Sequence, residues 1–106
     1  MNSNFKWADD AATRFLTQFS EVVRVRRVQL GLSQGELGVR AGVTRSYISD
    51  IETGLRNNLS MKSLHRIACA LEWSPAELLI KAEARYVAFG AMAEPTSIIC
   101  ESSNEQ

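Results

Sequence analysis

Several polar side chains lie together between residues 44 and 53, and their chemistry suits hydrogen bonding to a nucleic acid. The set is Thr44, Arg45, Ser46, Ser49 and Asp50. In a helix, Ile48 and Ile51 are spaced at i and i+3, so they face inward and leave the polar set on the outward flank. There Arg45 can donate two hydrogen bonds to guanine O6 and N7. Asp50 can accept one from cytosine N4, orient Arg45 or repel phosphate. The segment therefore predicts a recognition helix in which both serines are adaptable donors or acceptors.

Further hydrogen-bond donors flank this segment at predicted helix starts and in a loop. The first residues of a helix present unpaired N–H groups to anions, which makes Ser33, Gln34 and Thr44 candidates for phosphate contact. A second group of donors follows the segment and would hold the sugar-phosphate chain without reading its sequence. These are Arg56, Asn57, Asn58 and Lys62, with Arg24 as a weaker candidate. The alternative is that the loop forms a plain turn and that Arg45 is a solvated surface arginine.

The composition fits one small globular domain with an uneven distribution of charge. The chain has 106 residues, 45% of them hydrophobic and 23% charged, with a formal net charge of zero. Residues 18–66 carry a net charge of +4, whereas residues 67–106 carry −4. This asymmetry suggests one face for a polyanion and an acidic end kept away from it. The alternative is an ordinary solvated surface on which charge is unevenly sampled.

The remaining chemistry of the chain is sparse. No run of about 18 apolar residues and no signal-peptide pattern is present, so we expect no membrane span and a cytoplasmic location. Cys69 and Cys100 are expected to be thiols in a reducing compartment. His65 precedes Cys69 by four residues, but two ligands do not make a zinc site. We therefore expect no metal, no cofactor and no enzymatic activity.

Hydroxyl caps and glycine stops divide the chain into five predicted helices and no sheet. Ser33 with Glu36 and Ser74 with Glu77 have the spacing of capping boxes. Pro75 strengthens the second box because its missing N–H would be unpaired at the first helical position in any case. The first helix is expected to begin between Asp9 and Ser20 and to end near Leu30, and the others to span 33–41, 44–53, 60–71 and 75–90.

The second and third predicted helices are joined by only two or three residues, and a turn this short forces them to cross steeply. The second helix of such a pair can stand in a major groove about 12 Å wide. The runs Leu32–Leu37 (LSQGEL) and Ala41–Gly54 (AGVTRSYISDIETG) resemble the helix-turn-helix of the lambda-repressor/Cro-like (XRE-type) transcriptional regulators. The resemblance extends over residues 18–82 and implies a compact all-α, five-helix, DNA-binding domain. Residues 1–17 would be an extension, either separate from the first helix or continuous with it, and 83–106 the end of the fifth helix and a tail.

The resemblance also implies roles for individual residues. In this family the residues aligned with Arg45, Ser46 and Asp50 commonly read bases. The glutamine aligned with Gln34 touches phosphate and braces the recognition helix.

Two further features follow from the alignment with the family. Arg27 and Glu52 align with a partly buried structural ion pair that joins the first helix to the end of the third. The sequence departs from the family at Gly35 and Gly38, where helix formers, and alanine at the second position, are more usual. We expect Gly38 to permit a close approach of the third helix.

A symmetric homodimer on a palindromic operator is expected, because one short recognition helix reads only about 4–6 base pairs of groove. The candidate dimer surface lies on the fifth helix. Its residues are Leu78, Leu79, Tyr86 and Phe89, to which Ile98 and Ile99 could add. The alternative is that these side chains close the core of the monomer. With no sensor domain, protein concentration and operator arrangement would set regulation.

A different functional class is also compatible with the sequence. The chain could be an antitoxin or a controller protein whose N- or C-terminal extension also binds a partner protein. Phe5, Trp7 and Phe15 near one end are more aromatic than a bare tail needs, and they could pack on the core, dimerise or meet that partner.

Overall fold

The computed structural model describes residues 6–56 and 58–90. Five α-helices follow one another: α1 (Lys6–Gln29), α2 (Gln34–Ala41), α3 (Arg45–Thr53), α4 (Met61–Ala70) and α5 (Pro75–Arg85). A π-helical turn, Tyr86–Gly90, continues α5. The part of the chain that the structure describes contains no strand, which agrees with the predicted all-α class. Phe5, Asn57, Ile98, Ile99 and Cys100 lie outside the described residues.

The helices α2 to α5 begin where the sequence predicted, because each is capped by a hydroxyl. The side chains of Ser33, Thr44, Ser60 and Ser74 each accept a hydrogen bond from the third backbone N–H of the helix. Both capping boxes form, at α2 and at α5. These bonds satisfy N–H groups that a helix start otherwise leaves unpaired.

The first helix starts earlier than the predicted range of Asp9 to Ser20. It spans 24 residues from Lys6, and its N-terminal half packs beside the end of α5. There the ring of Phe15 meets that of Tyr86 edge-on, with the ring centroids 5.8 Å apart. Packing against α5 therefore supports the N-terminal half of α1 around Phe15, and the predicted extension is continuous with the helix from residue 6.

One hydrophobic core joins all five helices. The largest side chains that are fully buried in it are Leu37, Ile48, Ile51, Ile67, Leu71, Leu78 and Val23. Leu78 is fully buried and Tyr86 is 9% exposed, so two of the four residues expected at the dimer surface belong to the core of the monomer. Burying apolar area within the chain satisfies both side chains without a partner.

Among the described residues, no helix is long and apolar enough to cross a membrane.

Candidate nucleic-acid interface

The turn between α2 and α3 depends on a close backbone approach at Gly38. The N–H of Val43 donates to the carbonyl of Gly38 at 2.9 Å. A Cβ atom on Gly38 would lie 2.8 Å from the carbonyl oxygen of Val43. The absence of a side chain therefore lets the start of α3 lie directly on α2, as expected. The left-handed Gly42 (φ 73°) ends α2 and reverses the chain.

The orientation of α3 separates its isoleucines from its polar side chains. Ile48 is 0% and Ile51 2% exposed. Arg45 and Ser46 are exposed, whereas Ser49 and Asp50 are half-buried. The Arg45 side chain is exposed in the first turn of the helix, with its Cδ near Gly35 of α2, and it forms no ion pair within the described residues. The predicted inward flank is thus the observed one, and of the polar set Thr44, Arg45 and Ser46 are fully on the outward side.

A network of three side chains attaches the end of α3 to α1 and α2. Arg27 donates from Nε to Glu52 Oε2 at 2.6 Å and from Nη2 to Glu52 Oε1 at 2.9 Å. Gln34 Nε2 donates to the same Oε1 at 3.1 Å. The Arg27 side chain is 13% exposed and the Glu52 side chain 3%. The ion pair implied by the family resemblance is present, and Gln34 contacts the recognition helix.

Asp50 has a partner that the sequence did not indicate. Its carboxylate lies 3.9 Å from Nη2 of Arg56, and the Arg56 guanidinium lies 4.3 Å from the ring centroid of Tyr47. The Arg56 guanidinium therefore stacks on the Tyr47 ring of α3 and lies beside the Asp50 carboxylate. Tyr47 is a site residue that sequence reasoning missed, because an apolar spacing alone does not show that a loop arginine folds back over the ring.

The residues expected to contact phosphate differ in how many of their hydrogen-bond donors are free to bind an anion. At the start of α2, the Ser33 N–H donates to Glu36 Oε1 at 2.7 Å, and Ser33 Oγ accepts from the Glu36 N–H at 3.0 Å. The capping box therefore occupies two backbone donors at this helix start. Thr44 Oγ1 accepts from the N–H of Tyr47 at 3.0 Å. The Thr44 hydroxyl proton lies outside this bond, whereas the Ser33 hydroxyl also bonds to the Glu36 carboxylate.

The donors that follow α3 are not all placed alike. Asn58 and Lys62 are exposed, and Lys62 lies in the first turn of α4. Arg56 is half-buried over α3, and Asn57 lies outside the described residues. Arg24 forms an ion pair with Glu21 one turn away on α1.

Two carboxyl groups near this region have a pKa below the ordinary value. The side chain of Arg24 holds the pKa of Glu21 below its ordinary value through a hydrogen bond and through its charge. The backbone N–H and the hydroxyl of Ser33 lower the pKa of Glu36 by hydrogen bonding to its charged form. Both groups therefore stay ionised at neutral pH and hold the local geometry.

The remaining candidates lie apart from α3. His65 and Cys69 approach to 3.8 Å on α4, and no group of three metal-ligating side chains occurs in the described ranges. On α5, Leu79 is 38% exposed, and Phe89 in the following π-turn is 65% exposed. Neither side chain belongs to the buried core.

Comparison with known proteins identifies the same region. A family model described as helix-turn-helix matches residues 23–78. The HTH-type transcriptional regulators SinR and SlrR of Bacillus subtilis (strain 168) are each 37% identical to 57 residues, or 54%, of this chain. The match spans 51% of SinR and 38% of SlrR, so the chain matches about half or less of the length of these relatives.

Two solved structures each align with more than half of this chain. The restriction-modification controller protein C.AhdI from Aeromonas hydrophila has 38% sequence identity and a TM-score of 0.57, covering 59% of this chain and 94% of C.AhdI. SinR, solved in complex with DNA, has 34% identity and a TM-score of 0.54, covering 57% of this chain and 97% of that one. Because the family model covers more than half of the chain, and covers all of α2, the turn and α3, this chain belongs to the helix-turn-helix family, in its XRE-like branch.

Proposed function

We propose that the protein is a sequence-specific, DNA-binding transcriptional regulator that inserts α3 into the major groove. The observation that carries the proposal is the attachment of α3. Its isoleucines are buried, and Glu52 at its last turn is fixed by Arg27 and Gln34. The C-terminal end of α3 is fixed in the fold, whereas the side chains of its first turn are exposed. The helix therefore presents these side chains to DNA in a constant orientation.

Base reading follows from the chemistry of the exposed first turn. Arg45 can donate two hydrogen bonds to O6 and N7 of guanine, and Ser46 can donate or accept beside it. Arg56 holds Asp50 at the flank, where its carboxylate can accept from cytosine N4 and disfavours an approaching phosphate. The first turn of α3 thus favours G·C base pairs in the part of the DNA that it contacts.

Phosphate contacts would set the register of the protein on the duplex. The hydroxyls of Ser33 and Thr44 and the side chains of Asn58 and Lys62 occur at helix starts or in the loop after α3. Helix N-termini attract anions through their unpaired N–H groups and their dipole. Gln34 would act mainly as a brace, because its amide already donates to Glu52.

The relatives support this function. SinR carries the matching fold and was solved bound to DNA, and C.AhdI is a controller protein. A controller role is compatible with these relatives, and the main proposal of a transcriptional regulator fits all of them. An antitoxin role would additionally require a partner protein that co-purifies with the chain.

Selection from a pool of random duplexes tests the proposal directly. We expect enrichment of a two-fold symmetric sequence whose half-sites lie about 34–36 Å apart along one face. Binding to that sequence should weaken with salt, with a log–log slope of about −0.9 per phosphate neutralised. A pool that stays random after repeated rounds at low salt would refute sequence-specific binding.

A symmetric operator needs a dimer, and we propose that the exposed side of α5 forms it. Ile80 and Val87 are each 62% exposed and lie two turns apart, with Leu79 beside them. Leu79 also borders an apolar groove of about 170 Å³ lined by Phe15, Leu16, Phe19, Leu59 and Leu64. This face contains one residue of the predicted dimer set, since Leu78 and Tyr86 are buried and Phe89 lies elsewhere.

Light scattering after size exclusion measures the oligomeric state. We expect a mass of about twice 11.8 kDa for the wild type and a shift toward one chain for the double variant Ile80→Gln with Val87→Gln. The control is Val39→Gln, which replaces a valine that is 84% exposed on α2. An unchanged dimer in the double variant, or a monomeric wild type, would overturn this interface.

A further inference from the structure

A cavity of about 390 Å³ lies between α1 and α5, and none of its lining residues belongs to α2 or α3. Its walls come from the last turns of α1, from Trp73 in the connection before α5, and from α5 with the following π-turn. The cavity is partly open, its lining combines apolar and basic side chains, and its volume falls within the range of ligand pockets. None of the residues proposed to contact DNA lines this cavity.

Three cations and two aromatic rings converge on this cavity. The Arg26 guanidinium lies 4.6 Å and the Lys81 ammonium 5.9 Å from the ring centroid of Trp73. On the other wall, the Arg85 guanidinium lies 5.1 Å from the ring centroid of Phe89. The aromatic rings hold the cations in place and supply an apolar surface between them.

The three positive charges are not neutralised by the residues that the structure describes. No carboxylate lines the cavity, and none of the three cations forms an ion pair within 6–56 and 58–90. The Nε atom of Arg85 is buried without a hydrogen-bond partner there. Glu21 acts on Arg85 only through its charge, because Arg24 holds its carboxylate. Like charges this close repel one another, so an anionic occupant would stabilise the site.

An occupant with the matching chemistry is part of the same chain. Residues 91–106 contain Glu94, Glu101 and Glu105, the adjacent Ile98 and Ile99, and no Lys, Arg or His. Only Gly90 separates the segment from Phe89, which forms part of the cavity wall. Glu94 is five residue steps from Phe89, a distance of at most about 17 Å, and a tether this short gives an effective concentration of about 1 mM.

We propose that the acidic segment 91–106 docks into the α1–α5 cavity of its own chain. Its glutamates pair with Arg26, Lys81 and Arg85, and its isoleucines cover the rings of Trp73 and Phe89. The short tether favours the segment of the same chain over that of a second copy at ordinary protein concentrations. Docking neutralises a cationic patch that would otherwise attract DNA on a side of the domain that carries no recognition helix.

A spin label on Cys100 tests this proposal in the full chain. The other thiol, the exposed Cys69, is replaced by Ser so that a nitroxide attaches only within the acidic segment. Paramagnetic broadening is then read at the Trp73 indole N–H and at the amides of Lys81 and Arg85. For a segment that binds with a Kd of about 100 µM, an effective concentration of about 1 mM makes the docked state about tenfold more populated than the free one. We therefore expect these three signals to be broadened most.

Two perturbations separate docking from simple proximity. The double variant Lys81→Gln with Arg85→Gln should restore the Trp73 signal, and so should about 1 M NaCl, where the Debye length is about 3 Å. The matched control, Arg40→Gln with Arg66→Gln, removes the same charge elsewhere and should leave the broadening unchanged. Broadening that is absent in the wild type, or that persists in the Lys81 and Arg85 double variant, would overturn the proposal.

A mixed sample identifies which chain supplies the segment. Isotope-labelled chain without nitroxide is combined with unlabelled chain that carries it. We expect no broadening of Trp73 in this mixture. Broadening that appears there as strongly as in the doubly labelled chain would mean that a second copy occupies the cavity, which contradicts docking within one chain.

Discussion

Arg27 and Glu52 lie 25 residues apart and meet through two hydrogen bonds, of 2.6 and 2.9 Å, in a site that leaves the carboxylate side chain only 3% exposed. The pair ties the end of α3 to α1. Arg27 also donates from Nη1 to the carbonyl of Leu32 at 2.7 Å, and Gln34 approaches the same carboxylate from α2. One buried carboxylate thus fixes three helices relative to one another.

Replacing Glu52 with Gln should destabilise the fold strongly. The change leaves the Arg27 guanidinium without a counter-charge in a largely buried site, a loss of about 3–5 kcal/mol where a pair is fully buried. Thermal and denaturant unfolding measure it. The control, Gln34→Ala, removes one hydrogen bond to the same carboxylate and should cost about 1 kcal/mol. An unchanged melting temperature in Glu52→Gln would show that the pair is not structural.

The two glycines of α2 should respond in opposite ways to alanine. Gly38→Ala places a Cβ 2.8 Å from the backbone oxygen of Val43, so the α2–α3 turn must shift, at a cost of about 1–3 kcal/mol. At Gly35 the nearest atoms to an added Cβ are 3.8 Å away. Gly35→Ala should therefore stabilise the chain by about 0.5–1 kcal/mol through helix propensity.

Denaturant unfolding of both variants gives the comparison. If Gly38→Ala were as stable as Gly35→Ala, then the close approach of α3 would not depend on the missing side chain. Such a result would also remove the reason that the structure offers for the glycine at residue 38.

Arg45 and Lys62 should separate base reading from phosphate binding. Arg45→Ala should relax the sequence preference at one position of each half-site by about 1–3 kcal/mol, or about 5- to 150-fold. Lys62→Ala should weaken binding to all sequences about equally and reduce the magnitude of the salt slope by about 1. Repeating the duplex selection and titrating against salt measures both. A preferred sequence that Arg45→Ala leaves intact would exclude this arginine from base recognition.

The capping box of α2 should make stability depend on pH through Glu36. The Ser33 N–H lowers the pKa of Glu36 from the ordinary value of 4.5 in the folded chain. Since the folded state favours the ionised carboxylate, the stabilisation is fully present above about pH 4.5 and is lost as the pH falls through the lowered folded pKa.

Urea unfolding of the wild type and of Glu36→Gln between pH 3 and pH 7 isolates this contribution, because Gln keeps an acceptor oxygen but does not titrate. The difference in stability between the two proteins should shrink as the pH falls. A constant difference over the whole range would mean that the box contributes no charged hydrogen bond.

Local sequence signals determined the helix starts and the inward flank of α3. A serine or threonine cap bonds to a backbone N–H only three residues further along the chain. The starts of α2 to α5 could therefore be predicted from the sequence. The spacing of Ile48 and Ile51 likewise needed only the helical period. The family resemblance added the Arg27–Glu52 pair, which no local pattern could supply.

Tertiary packing decided the features that depend on distant residues. The N-terminal half of α1 packs against the end of α5, where Phe15 meets Tyr86. The pairing of Asp50 with Arg56 required a loop to fold back over Tyr47. Leu78 could serve a core or a partner by its sequence alone, because apolar spacing on a helix does not reveal what covers it. Only the arrangement of the neighbouring helices determines whether such a side chain is buried within one chain or remains exposed to solvent.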